Sequence, residues 1–268
     1  MIGPLTGWEA VLLGVVEGLT EFLPVSSTGH LILTSGLLGR GDDPAIHSFN
    51  IVVQGGAILA VLGLYRERVL SMMRGLIGRD PLGRRLLILL VVAFLPAGVL
   101  GPLLDKRIEA LLFQPIPVAL ALGLGGIAMI VADRLLRRDM AGKTVEALTM
   151  RHALLIGLAQ CLAMWPGTSR SLATILGGLA IGLSPAAAAE FSFLLALPTL
   201  GGATVYKLLG HAGEIATLGI PSVAIGMLAA LVSAALAVKG FVAWLQQHGL
   251  TGLGVYRILV AIAVLVLW

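Results

Sequence analysis

Six long apolar stretches recur along the chain, and each has about the length that a helix needs to cross a bilayer. A spanning helix requires about 20 mostly apolar residues. The stretches are 45–65, 86–104, 115–132, 187–207, 221–238 and 252–268. They predict an all-α integral membrane protein with six transmembrane helices.

Two further apolar stretches, 8–39 and 153–184, are interrupted in the middle by proline and hydroxyl residues. The first break reads Leu-Pro-Val-Ser-Ser-Thr from residue 23, and the second reads Trp-Pro-Gly-Thr-Ser-Arg from residue 165. A broken helix at membrane depth persists only where protein or a watery cavity surrounds it. We therefore predict two re-entrant helix hairpins.

The two broken stretches also predict an internal duplication. With an offset of 142 residues, Ser27 pairs with Ser169, and each hairpin is followed by three spans. Because three is odd, the second copy enters the membrane from the opposite side, which gives an inverted repeat of 1–132 and 133–268. Such repeats form their sites near the midplane, at broken helices from both halves.

Composition and charge support a membrane protein and orient it. The chain is 58% hydrophobic and 12% charged, with a mean hydropathy of +1.00, whereas soluble domains carry roughly 25% charged residues. These values exclude a soluble enzyme and a disordered chain.

Of the 18 basic residues, 11 lie in 66–85 and 133–152. Such clusters mark cytoplasmic loops, so we expect no nucleic-acid partner despite the net charge of +4.

Two glutamates precede the first break. Glu17 and Glu21 lie one helical turn apart, so both carboxylates project from one face. An acidic group at mid-membrane costs a few kcal/mol on insertion scales, so a metal ion, an opposing cation or a bound proton must compensate. The alternative is a helix end at the interface, where the carboxylates reach water. The residues alone leave these three compensations open at Glu17 and Glu21.

Small and hydroxyl residues follow both breaks at the start of a predicted helix. Backbone N–H groups and the helix dipole favour anions there. The candidate phosphate ligands are Ser26, Thr28, Gly167, Thr168, Ser169, Ser171 and Thr174. Helix capping is the alternative role of the hydroxyl groups.

Two residues near the breaks carry positive charge or can gain it. Arg170 keeps its proton at membrane depth and therefore needs an anion, and its planar donors match a phosphate. A structural ion pair with Glu17 or Glu21 is the alternative. His30 is a candidate nucleophile or acid/base catalyst, with a hydrogen-bonded core histidine as the alternative.

Gln54 and Glu190 are further polar residues on predicted spans. We expect them to contact the residues that bind the ligand rather than the ligand itself. The alternative is that they only pack against neighbouring helices. The two hairpins together would form a cage for a dianionic head group with one wall facing lipid.

The residues around both breaks resemble the two signatures of the bacterial undecaprenyl-diphosphate phosphatase family, the BacA or UppP type. The first signature is Glu-Gly-Leu-Thr-Glu-Phe-Leu-Pro-Val-Ser-Ser-Thr-Gly-His over 17–30, and the second is Pro-Gly-Thr-Ser-Arg-Ser-Leu-Ala-Thr over 166–174. Leu172 stands where the family usually has glycine. The resemblance implies hydrolysis of undecaprenyl diphosphate to undecaprenyl phosphate, which recycles the lipid carrier for cell-wall synthesis. It also implies a divalent metal, Mg²⁺ or Ca²⁺, and a site that faces the outer side of the cytoplasmic membrane.

The resemblance also suggests roles. We expect Ser27 to attack the terminal phosphorus or to position the attacking water, with His30 as acid/base or the other candidate nucleophile. Glu21 is the expected base or metal ligand, Glu17 would bind the metal or tune Glu21, and Arg170 would stabilise the phosphoryl oxygens. A homodimer stays open. Because inverted repeats with broken helices also occur in transporters, the alternative function is a flippase of the polyprenyl phosphate lipid, alone or coupled to hydrolysis.

Overall fold

A computed structural model describes residues 5–41, 43–136, 142–210 and 219–267 of the chain. These residues form eleven α-helices: α1 (Gly7–Glu21), α2 (Ser27–Leu37), α3 (Pro44–Leu64), α4 (Arg66–Leu76), α5 (Pro81–Leu112), α6 (Pro115–Leu136), α7 (Met150–Gln160), α8 (Arg170–Ala180), α9 (Pro185–Gly210), α10 (Ile220–His248) and α11 (Thr251–Leu267). Two 3₁₀ helices, Val145–Ala147 and Cys161–Met164, flank α7. No strand occurs in these four ranges, so the all-α class is confirmed.

Four helices are long and apolar enough to cross a membrane, namely Pro81–Ile108, Pro115–Leu135, Pro185–Val205 and Ile220–His248. Ser48–Leu64 and Arg66–Leu76 pass the same test together and count as a fifth span, although they meet at 82°. α11 is apolar but has only 17 residues. Within the described ranges, the protein is therefore a multi-pass membrane bundle of four or five spans by length and composition.

Both interrupted stretches fold as two helices joined by a turn. α1 ends at Glu21 and α2 begins at Ser27, while the second 3₁₀ helix ends at Met164 and α8 begins at Arg170. The serine before each second helix, Ser26 or Ser169, is its N-cap. The offset that superimposes these caps is 143 (26 to 169), so the predicted offset of 142 was wrong by one residue. Pairing the prolines caused the error, because the caps and not the prolines set where each helix begins.

In each helix pair, the chain after the second helix lies beside the start of the first helix or the segment before it. Arg40, after α2, forms an ion pair of 2.7 Å with Glu9 near the start of α1. Lys143, before α7, donates its backbone N–H to the Gly182 carbonyl at 2.9 Å and accepts from the Ser184 N–H at 3.0 Å, both after α8. Both pairs are therefore hairpins in shape.

Small residues let α1 pack very closely on α10. A Cβ atom added at Gly14 would overlap the carbonyl oxygen of Gly226, and one added at Gly18 would overlap the carbonyl oxygen of Ala230. This contact is the most extensive between any two helices of the described chain. It fixes the position of α1, which carries both predicted glutamates.

The two basic segments contact one another at one end of the bundle. Arg85 donates to the backbone carbonyls of Glu146 and Leu148 at 2.7 and 2.6 Å, and Arg68 pairs with the Glu146 carboxylate at 2.7 Å. The backbone amide of Glu146 and the Arg68 guanidinium hold the pKa of that carboxyl below its usual value. The charge clusters thus form one basic surface, defined by 66–85 and 142–152.

Candidate active site

The turns of the two hairpins meet inside the bundle. Ser171 donates its hydroxyl proton to the Leu23 carbonyl at 2.8 Å, and Arg170 Nη2 lies 3.5 Å from Glu21 Oε1. The two signature stretches are far apart in the sequence, yet they form a single cluster of polar side chains.

Glu21 connects the candidate nucleophile to the candidate arginine. Its Oε2 accepts a hydrogen bond of 2.6 Å from Ser27 Oγ, while its Oε1 faces Arg170. The short turn between α1 and α2 brings the end of one helix to the start of the next, which makes this bond possible. Glu21 and Ser27 are 6% and 8% exposed. A charge-assisted hydrogen bond shielded from water in this way is stronger than one at the surface.

Glu17 is fully buried one turn before Glu21. Neither of its carboxylate oxygens has a hydrogen-bond partner in the described part of the chain. An unpaired buried carboxylate is costly and calls for a cation or a proton.

The same two glutamates fit a divalent metal. No group of three or more His, Cys, Asp or Glu that could hold a metal occurs in the described ranges. Glu17 and Glu21 supply two carboxylates one helical turn apart. Mg²⁺ is commonly held by one or two carboxylates together with substrate phosphates and water. The unpartnered oxygens of Glu17 therefore suit an ion that arrives with a phosphate.

Arg170 begins α8 and keeps part of its donor set free. Its Nη1 donates to the Ser192 carbonyl at 2.9 Å, and its guanidinium lies 5.8 Å from the centroid of the Phe22 ring. Its buried Nε has no hydrogen-bond partner among the residues described. The ion pair with Glu21 exists, as the alternative interpretation required, but at 3.5 Å it is long and leaves donors for an anion.

Ser26 and Ser169 share a rare backbone conformation. Their φ values are +74° and +77°, and they are the two non-glycine residues with positive φ in the four described ranges. Each hydroxyl caps its helix, accepting from the Gly29 N–H at 3.4 Å or the Leu172 N–H at 3.3 Å. Such backbone strain costs roughly 1–3 kcal/mol and persists only where the surroundings enforce it.

The other hydroxyls fall into two groups. Ser171 and Thr174 are buried and bonded to neighbours, with Ser171 Oγ 2.9 Å from Ser169 Oγ and Thr174 Oγ1 2.7 Å from Ser192 Oγ. These hydrogen bonds stabilise the second turn. Thr28 and Thr168 are half-buried, and no hydrogen bond of either side chain is found in the described structure.

His30 makes both of its ring contacts away from the pair formed by Ser27 and Glu21. Its Nδ1 lies 2.8 Å from the Ser26 carbonyl and its Nε2 lies 2.7 Å from the Tyr256 hydroxyl. Because a carbonyl can only accept, we assign the proton to Nδ1, and the tyrosine hydroxyl then donates to Nε2. The sequence interpretation did not include Tyr256.

Arg257 on α11 was also missed, although it contacts both turns. It is 0% exposed and donates to the carbonyls of Pro24 at 2.9 Å and Gly167 at 2.8 Å. It also donates to the carbonyls of Leu122 at 3.3 Å and Ala121 at 3.2 Å. An arginine inside an apolar span is costly and marks function by default, so its presence in 252–268 was a usable signal.

Gln54 and Glu190 show no hydrogen bond or ion pair to either turn in the part of the chain described. Glu190 Oε1 accepts from Arg68 Nε at 2.7 Å, next to the basic surface, and Gln54 is half-buried on α3. From α9, Ser192 reaches the site through its carbonyl and its hydroxyl.

Comparison with known proteins assigns the chain to a family. A family model described as bacitracin resistance protein BacA matches residues 10–263. A protein of Sorangium cellulosum named undecaprenyl-diphosphatase is 51% identical over 265 residues, covering 97% of this chain and 85% of that protein. One of the same name from Nitrosomonas europaea is 49% identical over 250 residues, covering 93% and 90%. Both turns lie within the matched region, and the chain therefore belongs to the BacA family of bacitracin resistance proteins.

Proposed function

We propose that the chain is a membrane-embedded phosphatase that hydrolyses undecaprenyl diphosphate to undecaprenyl phosphate and inorganic phosphate. One observation carries the proposal: Glu21 joins Ser27 at 2.6 Å and Arg170 at 3.5 Å where two helix N-termini meet. The names of the relatives favour this hydrolysis over the flippase alternative.

The proposed architecture is an inverted repeat of 1–132 and 133–268, each with a re-entrant hairpin and three spans. The two similar hairpins support this architecture, and so does the packing of the helices. In such a repeat, a contact between two helices should recur between the equivalent helices of the other half. α1 packs on α10 as α7 packs on α5, and α3 packs on α10 as α9 packs on α5. In this architecture α11 is the sixth span. Both turns come from one chain, so the site needs no second copy.

The site opens to the outer side of the cytoplasmic membrane in this proposal. The basic surface of 66–85 and 142–152 marks the cytoplasmic end by the positive-inside rule. α3 leads into that surface, so its other end, together with the ion pair between Glu9 and Arg40, is at the outer end. The first hairpin begins and ends there, whereas the second begins and ends at the basic surface, so it is the resemblance to the phosphatase family that favours an opening on the outer side.

Ser27 acts as the nucleophile in the proposed reaction. Its oxygen bonds to the terminal phosphorus while the bridging P–O bond breaks and undecaprenyl phosphate leaves. Glu21 accepts the hydroxyl proton through the 2.6 Å hydrogen bond. Water then hydrolyses the phosphoserine to inorganic phosphate, and Glu21 returns the proton to Ser27. His30 is less suited to attack because both of its ring nitrogens are engaged.

Arg170 and the two helix N-termini stabilise charge on the transferred phosphoryl group. The Nε of Arg170 has no partner among the described residues, and the first N–H groups of α2 and α8 have no intrahelical acceptor. Thr28 and Thr168 add hydroxyl donors. Charge stabilisation and positioning are the main tasks in phosphoryl transfer.

Glu17 and Glu21 would hold the divalent cation, Mg²⁺ or Ca²⁺. When bound, such an ion neutralises charge on the diphosphate. Its charge would also offset the burial of the Glu17 carboxylate, whose oxygens are unpartnered within the described structure.

Phosphate release from undecaprenyl diphosphate by the purified protein in detergent tests the proposal. We expect release in Mg²⁺ or Ca²⁺ and its loss in excess chelator, with recovery when the metal is restored. Absence of release from folded protein in either metal, together with lipid movement in vesicles, would favour the flippase instead.

A further inference from the structure

We infer that Tyr256 and Arg257, neighbouring residues on α11, are positioning residues that hold the two turns in the conformation needed for phosphoryl transfer. These roles presuppose the proposed phosphatase function, but the mechanism above uses neither side chain. Each makes a different contact, and together they reach both turns.

Arg257 connects the two turns through one planar group. Nη1 donates to the Pro24 carbonyl of the first turn at 2.9 Å, and Nη2 donates to the Gly167 carbonyl of the second at 2.8 Å. A guanidinium presents its donors in a rigid fork, so these two bonds set the separation of the turns. Because Arg257 is 0% exposed, it cannot touch a substrate and must act through the backbone.

The residues around Arg257 accept its hydrogen bonds and leave space for its guanidinium. No ion pair of this residue is found in the described structure, and four backbone carbonyls receive its donors instead. A Cβ atom added at Gly125 of α6 would overlap the guanidinium. A buried charge without a carboxylate partner is expensive to keep, which argues for a function beyond packing.

Tyr256 acts on the first turn through His30. Its hydroxyl lies 2.7 Å from His30 Nε2, the two rings stack with centroids 5.5 Å apart, and His30 Nδ1 reaches the Ser26 carbonyl at 2.8 Å. Ser26 is the residue held at φ +74°, and Ser27 follows it directly. The hydrogen-bonded chain from Tyr256 therefore ends at the strained peptide that orients the proposed nucleophile.

Steady-state kinetics on undecaprenyl diphosphate test the role of Arg257. In Arg257→Met we expect kcat to fall about 100-fold with little change in KM, since misplacement by an ångström has that cost. Arg257→Lys keeps the charge and some donors, so it should recover part of the loss. Arg134→Met, which removes an exposed arginine of α6, is the matched control. Wild-type kcat in Arg257→Met would overturn the role.

A double-mutant cycle tests Tyr256 even if the Arg257 variants do not fold. Tyr256 is 43% exposed, so Tyr256→Phe removes a hydroxyl and leaves the packing. We expect kcat to fall about tenfold in the wild-type background and less than about twofold in His30→Ala, because the two residues act in series. Tyr65→Phe, at a tyrosine whose hydroxyl makes no hydrogen bond in the described structure, is the control.

The outcomes of the cycle are distinct. Equal losses of kcat in both backgrounds, or no loss in either, would overturn the proposed action through His30. A fall in the midpoint of thermal unfolding that matches the fall in kcat would make Tyr256 merely structural. Absence of phosphate release by the folded wild-type protein would instead overturn the phosphatase proposal, and the positioning roles with it.

Discussion

The Glu21 carboxylate serves two neighbours with different demands. In the proposed mechanism Ser27 uses it as a proton acceptor, and the 2.6 Å hydrogen bond supplies that contact. Arg170 needs it as a counter-ion, but the 3.5 Å separation is too long for a strong bond. A bound phosphate would offer Arg170 a better partner and leave Glu21 available as a base.

Removal of the Ser27 hydroxyl should abolish turnover. We expect Ser27→Ala to lower kcat by a factor of about 10³ or more, because the nucleophile and its base act as one unit. Phosphate release measures the effect. Ser35→Ala on the same helix is the control, since the Ser35 hydroxyl is buried without a partner in the described structure. Equal turnover in the two variants would exclude Ser27 as nucleophile.

We expect the Glu17→Gln variant to weaken metal binding without lowering the stability of the fold. The amide keeps the shape of the side chain but loses the charge, so the Mg²⁺ concentration for half-maximal activity should rise about tenfold or more. In chelator the midpoint of thermal unfolding should stay level or rise, because an unpaired buried carboxylate has been removed. Unchanged Mg²⁺ dependence would place the metal elsewhere.

Among the elements, the sequence predicted both broken helices but misaligned them by one residue. The breaks were predictable because proline and hydroxyl residues interrupt apolar runs. The alignment was not, because it depends on the caps at Ser26 and Ser169, and serine gives no sign in the sequence of a positive φ.

The residues of the candidate site were likewise only partly predictable from the sequence. Glu21, Ser27 and Arg170, which the structure brings together, could be predicted because their chemistry is concentrated in two short stretches. Tyr256 and Arg257 were missed because the apolar run 252–268 satisfied the length of a span, and their contacts join segments that only the tertiary fold brings together.

The close contact of α1 with α10 should make Gly18 intolerant of any side chain. Gly18→Ala places a methyl group against the Ala230 carbonyl, and such overpacking costs about 1–3 kcal/mol. We expect a lower midpoint of thermal unfolding in detergent. Gly240→Ala on α10 has open space around the new Cβ atom and should be neutral or slightly stabilising. Identical shifts would contradict the packing described.

For the whole molecule, the two hairpins are alike in form and unlike in chemistry. The first residue of α2 is Ser27 and the first residue of α8 is Arg170. At equivalent positions, one half thus supplies the proposed nucleophile and the other a cation for the phosphate. The first half alone supplies Glu17 and Glu21. In the proposed mechanism, this asymmetry makes a reaction centre of the place where the two helix N-termini meet.

The proposed orientation predicts which loops are accessible from outside the cell. In a Cys161→Ser background, which removes the single cysteine of the chain, Phe113→Cys should react with a membrane-impermeant maleimide on intact cells. Arg79→Cys, on the basic surface, should react only after the cells are opened. The reverse pattern would invert the topology and direct the site to the cytoplasm.

The turnover of Arg170→Ala on undecaprenyl diphosphate tests the central claim, that the junction of the two turns is the phosphatase site. An arginine that stabilises a transferring phosphoryl group contributes about 10³ or more to kcat, so we predict a loss of that size in protein whose thermal unfolding remains cooperative. Arg74→Ala, at an exposed arginine of α4, should keep wild-type turnover. Wild-type turnover in Arg170→Ala would contradict the account.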